Sequence, residues 1–213
     1  MVEEKIHLQC EGFKLEGRLA LVDSSKAAIV THPHPMYGGQ MSNPVVMAIA
    51  EVYHKNGWST LRFNFRGTGA SEGRFDNGLG EQNDVDAAIA YMETKGFGRI
   101  ELTGYSFGAW VLAAWSQTRK SRGYALRFVA PPTPFLDFSD IHAIADLRQV
   151  IVGSLDEIAS AERIKSEVLM WQPQAEICII PQADHFFGGH LRDVQQVIGR
   201  RIGRPAGMPA SGS

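Results

Sequence analysis

Cysteine is scarce in this chain: Cys10 and Cys178 are the only two among 213 residues, and they lie far apart. Thiols so placed make neither a disulfide framework nor a zinc-ligand spacing, and both fall in segments patterned as strands, so buried free thiols are expected. An excess of charge of one sign is also missing. A formal net charge of −2, with acidic and basic residues scattered along the chain, provides no footprint for a nucleic acid or an anionic membrane surface. No stretch approaches the roughly 18 consecutive apolar residues of a membrane span, and "MVEEKIHLQCEG" at the start has no apolar run of signal-peptide length. These gaps lead to the expectation of a cytoplasmic protein whose partner is a small molecule, with no nucleic acid and no membrane, and with its oligomeric state open. Internal repeats and interdomain linkers are lacking as well. The composition shifts only at "GRPAGMPASGS", so a single domain over residues 1–203 is expected, with a flexible C-terminal tail over 204–213.

What the chain does have is enough apolar material, 44% of its residues, to bury a sizeable core. Short apolar runs alternate with helical patterns, which predicts an α/β fold with a mostly parallel sheet covered by helices on both faces. "KIHLQC" and "KLEGRLAL" read as an antiparallel entry pair, and strands recur at "AAIVTH", "STLRFNF", "RIELTGYS", "ALRFVA", "RQVIVGS" and "EICIIP", about eight in all. In "NPVVMAIAEVYHKNG", Asn43 is placed to cap a helix, Pro44 to begin it and Gly57 to follow its end. "DVDAAIAYMETKG" sets Val85, Ala88, Ile89 and Met92 on one helical face and leaves Asp84, Asp86 and Glu93 largely outside it.

The stretch "ELTGYSFGAWVLAAW" carries the chemistry. Ser106 stands where a strand ends and a helix begins, between Gly104 and Gly108. A sharp strand-to-helix turn brings the two backbones together, needs small residues two positions to either side, and exposes the serine Oγ above the sheet. The amide of Phe107 then lies at a helix N-terminus, where a developing oxyanion is favoured. Among seven histidines, His185 in "PQADHFFGG" lies on a loop after the last strand, where a general base could reach the serine. Asp156 follows "QVIVGSL", beyond the end of a strand, and completes the chain order serine, acid, histidine that such an elbow calls for. Asp184 is adjacent to His185, but neighbouring side chains on an extended loop point apart; Asp137, Asp140 and Asp146 are rivals before that strand. A Gly67-x-Gly69 pair suggests a dinucleotide site only until position 72, where Glu72 stands in place of the third glycine, so no cofactor is expected.

Taken together, "THPHPMYGG", "FNFRGTGAS", "GYSFGAW", "LDEIA" and "ADHFFGG" make the chain resemble the α/β-hydrolase superfamily, and within it the small, lid-poor bacterial serine hydrolases marked by His-Pro-His-Pro. The resemblance implies an α/β-hydrolase fold with a minimal or absent lid and a Ser106, Asp156, His185 triad. Aligning His32-Pro33 with the superfamily's His-Gly oxyanion loop implies that the His34 amide joins that of Phe107 as an oxyanion donor, since Pro33 and Pro35 have no N–H; Met36 is the alternative if the loop is shifted. A metal held by His32 and His34 lacks an obvious third ligand, and none is expected. Asn64 stands where the superfamily's Arg-Gly-x-Gly-x-Ser turn is usually preceded by aspartate, which puts the seating of Arg66 in question. Phe135, Phe138, Phe186, Phe187 and Trp110 are candidate pocket walls. The expected activity is that of a serine hydrolase working by acyl transfer, a carboxylesterase first; thioesterase, amidase or peptidase chemistry on the same triad, and a non-catalytic binding protein of the same fold, are the alternatives.

Overall fold

The computed structural model describes residues 1–119 and 123–202, so the expected tail over 204–213 lies outside the described residues. Eight strands form one sheet: β1 (Glu4–Cys10), β2 (Phe13–Ala20), β3 (Lys26–Thr31), β4 (Ser59–Phe63), β5 (Arg99–Tyr105), β6 (Ala125–Val129), β7 (Leu147–Gly153) and β8 (Glu176–Ile180). Their order is β1-β2-β4-β3-β5-β6-β7-β8. β2 runs antiparallel to β1 and β4, and every other pair is parallel. The edge strand β1 alternates exposed and buried residues, whereas β4 is buried along its whole length, as expected for a parallel strand with both faces covered.

The α-helices are α1 (Pro44–Lys55), α2 (Gly80–Thr94), α3 (Phe107–Thr118), α4 (Ala161–Trp171) and α5 (Leu191–Ile202). Consecutive residues of β5 show how helices cover opposite faces. Thr103 Oγ1 meets Tyr53 Oη of α1 at 2.9 Å, while Gly104 abuts the backbone of α3. α1 is bounded as its sequence suggests: Asn43 Oδ1 accepts from the Val45 amide at 2.9 Å, and Gly57 turns the chain out at φ 75°.

α2 departs from expectation in two ways. It begins at Gly80, earlier than its apolar pattern suggests, because the Glu81 carboxylate folds back to accept the amides of Asp76 at 2.9 Å and Gly78 at 2.7 Å. Asp84, expected outside the apolar face, is completely buried. It precedes Ala88 by one turn and so shares that inward face. Its carboxylate is kept there by charge pairing, accepting from the Arg66 amide at 2.9 Å, Nε at 3.0 Å and Nη2 at 2.8 Å. Arg66 also reaches Glu11 at 2.9 Å, so it is seated without Asn64, which instead accepts from the Met41 amide and donates to Glu16. The turn expected to pack near the nucleophile is thereby fastened to α2 and to the β1–β2 hairpin.

Between β6 and β7, residues 130–146 run without a helix, leaving the C-terminal edge of the sheet uncovered. This strap is tied down by Trp110 of α3, whose Nε1–H donates to the Asp137 carbonyl at 2.7 Å.

Candidate active site

Ser106 sits between β5 and α3 with φ 53° and ψ −118°, a strained conformation for a residue with a side chain. The surrounding backbone enforces it. The Ser106 amide donates to the Val129 carbonyl at 2.8 Å, and its own carbonyl accepts from Ala109 at 2.9 Å. A Cβ on Gly104 would lie 2.5 Å from the Gly108 oxygen, and one on Gly108 would lie 2.5 Å from Thr31 Oγ1. Both glycines are therefore required by close packing of β5, α3 and β3. Phe107 is the first residue of α3, so its amide has no intrahelical acceptor.

His185 and Asp156 arrive from the ends of β8 and β7. Gly153 lets the two loops meet, because a Cβ there would run into the Ala183 carbonyl. The Asp156 carboxylate accepts from the amides of Ile158 at 2.8 Å and Ala159 at 2.6 Å, and from His185 Nδ1–H at 2.9 Å. With that proton on Nδ1, His185 Nε2 is free to accept from Ser106 Oγ–H at 3.0 Å. All three side chains are largely buried. Asp184 points elsewhere and accepts from the Phe186 amide at 3.0 Å; Asp137 accepts from Ser139, and Asp146 pairs with Arg148. Tyr105, which the sequence did not single out, donates its hydroxyl to the His185 carbonyl at 3.0 Å and fixes that loop. Burial pushes its pKa up, so the hydroxyl stays a donor. Its only signal in the sequence was adjacency to Ser106.

The loop after β3 supplies the other wall. His34 caps a short 3-10 turn, Pro35–Tyr37, by accepting the Met36 amide on Nδ1 at 3.2 Å. That bond needs a neutral imidazole, and burial lowers the His34 pKa accordingly. The ring also lies 4.7 Å from that of Phe107, centroid to centroid.

One relative by sequence and two solved structures resemble this chain over most of its length. No family model matches the chain. The uncharacterized protein RP471 of Rickettsia prowazekii (strain Madrid E) is 36% identical over 197 residues, 87% of this chain and 82% of that protein. An alpha-beta serine hydrolase homologue from Coxiella burnetii superposes with a TM-score of 0.85 at 33% identity, covering 94% of this chain and 97% of the other. XC6422 from Xanthomonas campestris, described as an α/β serine hydrolase without lid, matches at TM-score 0.85 and 31% identity over 97% of both chains. The chain belongs to the α/β-hydrolase superfamily.

Like XC6422, this hydrolase is lidless, and a cleft of about 610 Å³ lies open over Ser106 and His185. Of the aromatic residues expected to wall it, Phe135 and Phe186 do so; Phe187 and Phe138 are buried in the core, and Trp110 instead anchors the strap. Period counting cannot distinguish a ring facing the cleft from one facing the core. Cys10 is buried as expected, whereas Cys178 is only half-buried, and neither is paired. Among the described residues no cluster of His, Cys, Asp or Glu has the makings of a metal site, and no helix is long and apolar enough to cross a membrane.

His32 has a role in the hydrolase that its sequence position did not reveal. Fully buried at the end of β3, it donates from Nδ1 to the Pro33 carbonyl at 2.7 Å and accepts the Phe65 amide on Nε2 at 3.0 Å. It thus pins the His34 loop to the end of β4. Burial drives its pKa from 6.5 down to about 4. In the unfolded chain the ring takes up a proton near 6.5, in the folded chain only near 4, so between those values the unfolded state binds more protons and stability falls as the pH falls. The full contribution, roughly 3 kcal/mol, is present above the unfolded value and lost on acidification. A His32→Gln variant is therefore expected to show a smaller drop in its urea midpoint between about pH 7 and about pH 4 than the native chain; equal drops would remove His32 as the cause.

Proposed function

We propose that this hydrolase is a serine carboxylesterase acting on small, soluble, uncharged esters by acyl transfer. The observation that carries the reading is the unbroken relay from Ser106 Oγ through His185 to the Asp156 carboxylate, with steps of 3.0 and 2.9 Å, at the floor of an open cleft. In this mechanism Ser106 Oγ attacks the ester carbonyl carbon while its proton passes to His185 Nε2, and Asp156 stabilises the imidazolium. The Phe107 and His34 amides receive the tetrahedral oxyanion. His34 is preferred to Met36 as the second donor because the Met36 amide is already engaged by the His34 ring. Collapse expels the alkoxide, which takes the proton from His185; water then attacks the acyl-serine, giving its proton to His185, and the carboxylic acid leaves as Ser106 is restored.

The choice of an uncharged substrate rests on the lining of the cleft. Among the described residues that line it there is no Asp, Glu, Lys or Arg to pair with a charged acyl or leaving group. The same relay would cleave a thioester or an amide, and a screen of leaving groups ranks them. We assign the chain to the His-Pro-His-Pro branch on "THPHP", and to the cytoplasm on its two unpaired thiols. A fluorophosphonate probe tests the central claim, because it reacts with an activated serine and not with a mere pocket. Labelling that is lost in Ser106→Ala is the expected result; a native protein that does not label would sink the catalytic reading in favour of a binding role.

An open cleft also sets the chain-length preference. Each buried methylene contributes about 0.8 kcal/mol, and methylenes left in water forfeit it. Without a lid there is no closed form for a lipid interface to open. With p-nitrophenyl esters from acetyl to palmitoyl, kcat/KM is expected to fall for long acyl chains and to show no jump at the substrate's solubility limit. A preference for the longest chains, or such a jump, would contradict this.

A further inference from the structure

On the far side of the strap lies a second cavity, a groove of about 470 Å³ between residues 133–143 and α4. Its apolar side is made by Leu136, Phe138, Ile141, Met170 and Trp171, and the Phe138 and Trp171 rings stack there with centroids 5.3 Å apart. Leu136 lines both this groove and the cleft over Ser106. The backbone on either side of it is held: the Leu136 amide donates to Pro132 at 3.0 Å, and the Asp137 carbonyl accepts from Trp110 at 2.7 Å. The two spaces are therefore divided at this point by a half-buried side chain on an anchored backbone.

Building on the esterase reading, we propose that Leu136 sets the acyl-chain limit of this enzyme, closing the cleft against a groove that would otherwise take the distal methylenes of a medium-length, unbranched acyl chain. The occupant follows from the chemistry of the walls. The groove adjoins the cleft at Leu136, on its apolar side, and the one cation on its α4 wall, Arg163, is already paired with Glu167 at 2.9 Å. A hydrocarbon chain entering past position 136 would meet aromatic and thioether surface on this side, while the buried Glu167 carboxylate on the α4 wall stays neutralised by Arg163 and the polar Asp137 and His142 line the opposite, strap side.

The experiment compares the ratio of kcat/KM for p-nitrophenyl decanoate to that for the butyrate in native enzyme, Leu136→Ala, and Leu136→Ala/Met170→Asp. Each methylene newly covered is worth about fourfold, so three of them raise the ratio in Leu136→Ala by roughly 60-fold. In the double variant, a carboxylate on the groove wall is expected to remove most of that gain, and Leu136→Val should move the ratio the same way by less. An unchanged ratio in a Leu136→Ala enzyme that still cleaves the butyrate would overturn the partition, as would a gain that survives Met170→Asp. Failure of the native protein to cleave any of these esters or to label with fluorophosphonate would instead overturn the esterase reading beneath it.

Discussion

Replacing Ser106 with alanine is expected to lower ester turnover by roughly 10^4 to 10^6-fold while the protein stays folded. In the proposed mechanism the size follows from loss of the group that would form the acyl bond, which leaves only water and the amides around the site. That the fold should survive follows from where the elbow's stability resides. Its strain is held by main-chain bonds, from the Ser106 amide to Val129 and from Ala109 and Trp110 to the Ser106 carbonyl, and alanine keeps all three. The hydroxyl itself is bonded to His185 and supports no backbone group. Steady-state hydrolysis of p-nitrophenyl butyrate alongside a thermal melt separates the two effects. A folded Ser106→Ala protein with most of its activity would mean that the nucleophile lies elsewhere.

Asp156→Asn should cost roughly 10^4-fold in kcat, and Asp184→Asn very little. The carboxylate of Asp156 only accepts, and it is surrounded by donors: two main-chain amides and His185 Nδ1–H. An asparagine there must turn either its oxygen or its NH2 toward the imidazole. With the amides claiming the oxygen, the NH2 faces Nδ1 and draws the ring proton to Nε2, the nitrogen that must accept from serine. Asp184, one residue before the histidine, caps its own turn through the Phe186 amide, and asparagine can do the same. Kinetics of the two variants side by side give the comparison; the reverse ranking would reassign the acid.

Much of the framework was legible because its signals are local. Alternating and continuous apolar runs mark strands whatever they later pair with, and Asn43, Pro44 and Gly57 bound α1 through contacts within a few residues. Gly104 is legible beside Ser106 because the crowding it relieves comes from Gly108 and Ala109, within one turn of chain, whereas the need for glycine at 108 comes from Thr31 of β3 and is tertiary. Asp84 departs from its local pattern for the opposite reason: its burial depends on Arg66, eighteen positions away, and on a loop that brings the two together. A carboxylate's place inside or outside a core is set by whether a partner meets it there, which apolar spacing does not encode.

The sequence by itself therefore determined the alternation of strands and helices, the elbow, and the order serine, acid, histidine, since each rests on neighbours in the chain or on their succession. The tertiary structure alone decided that Asp156 and not Asp184 faces the His185 ring, that His32 pins the His34 loop, that Phe135 and Phe186 face the cleft while Phe187 is buried in the core and Phe138 lines the second groove, and that Leu136 stands between two cavities. Those are matters of side-chain direction between segments that meet only when β3, β5, β7 and β8 align their ends at one edge of the sheet, so no local pattern can carry them.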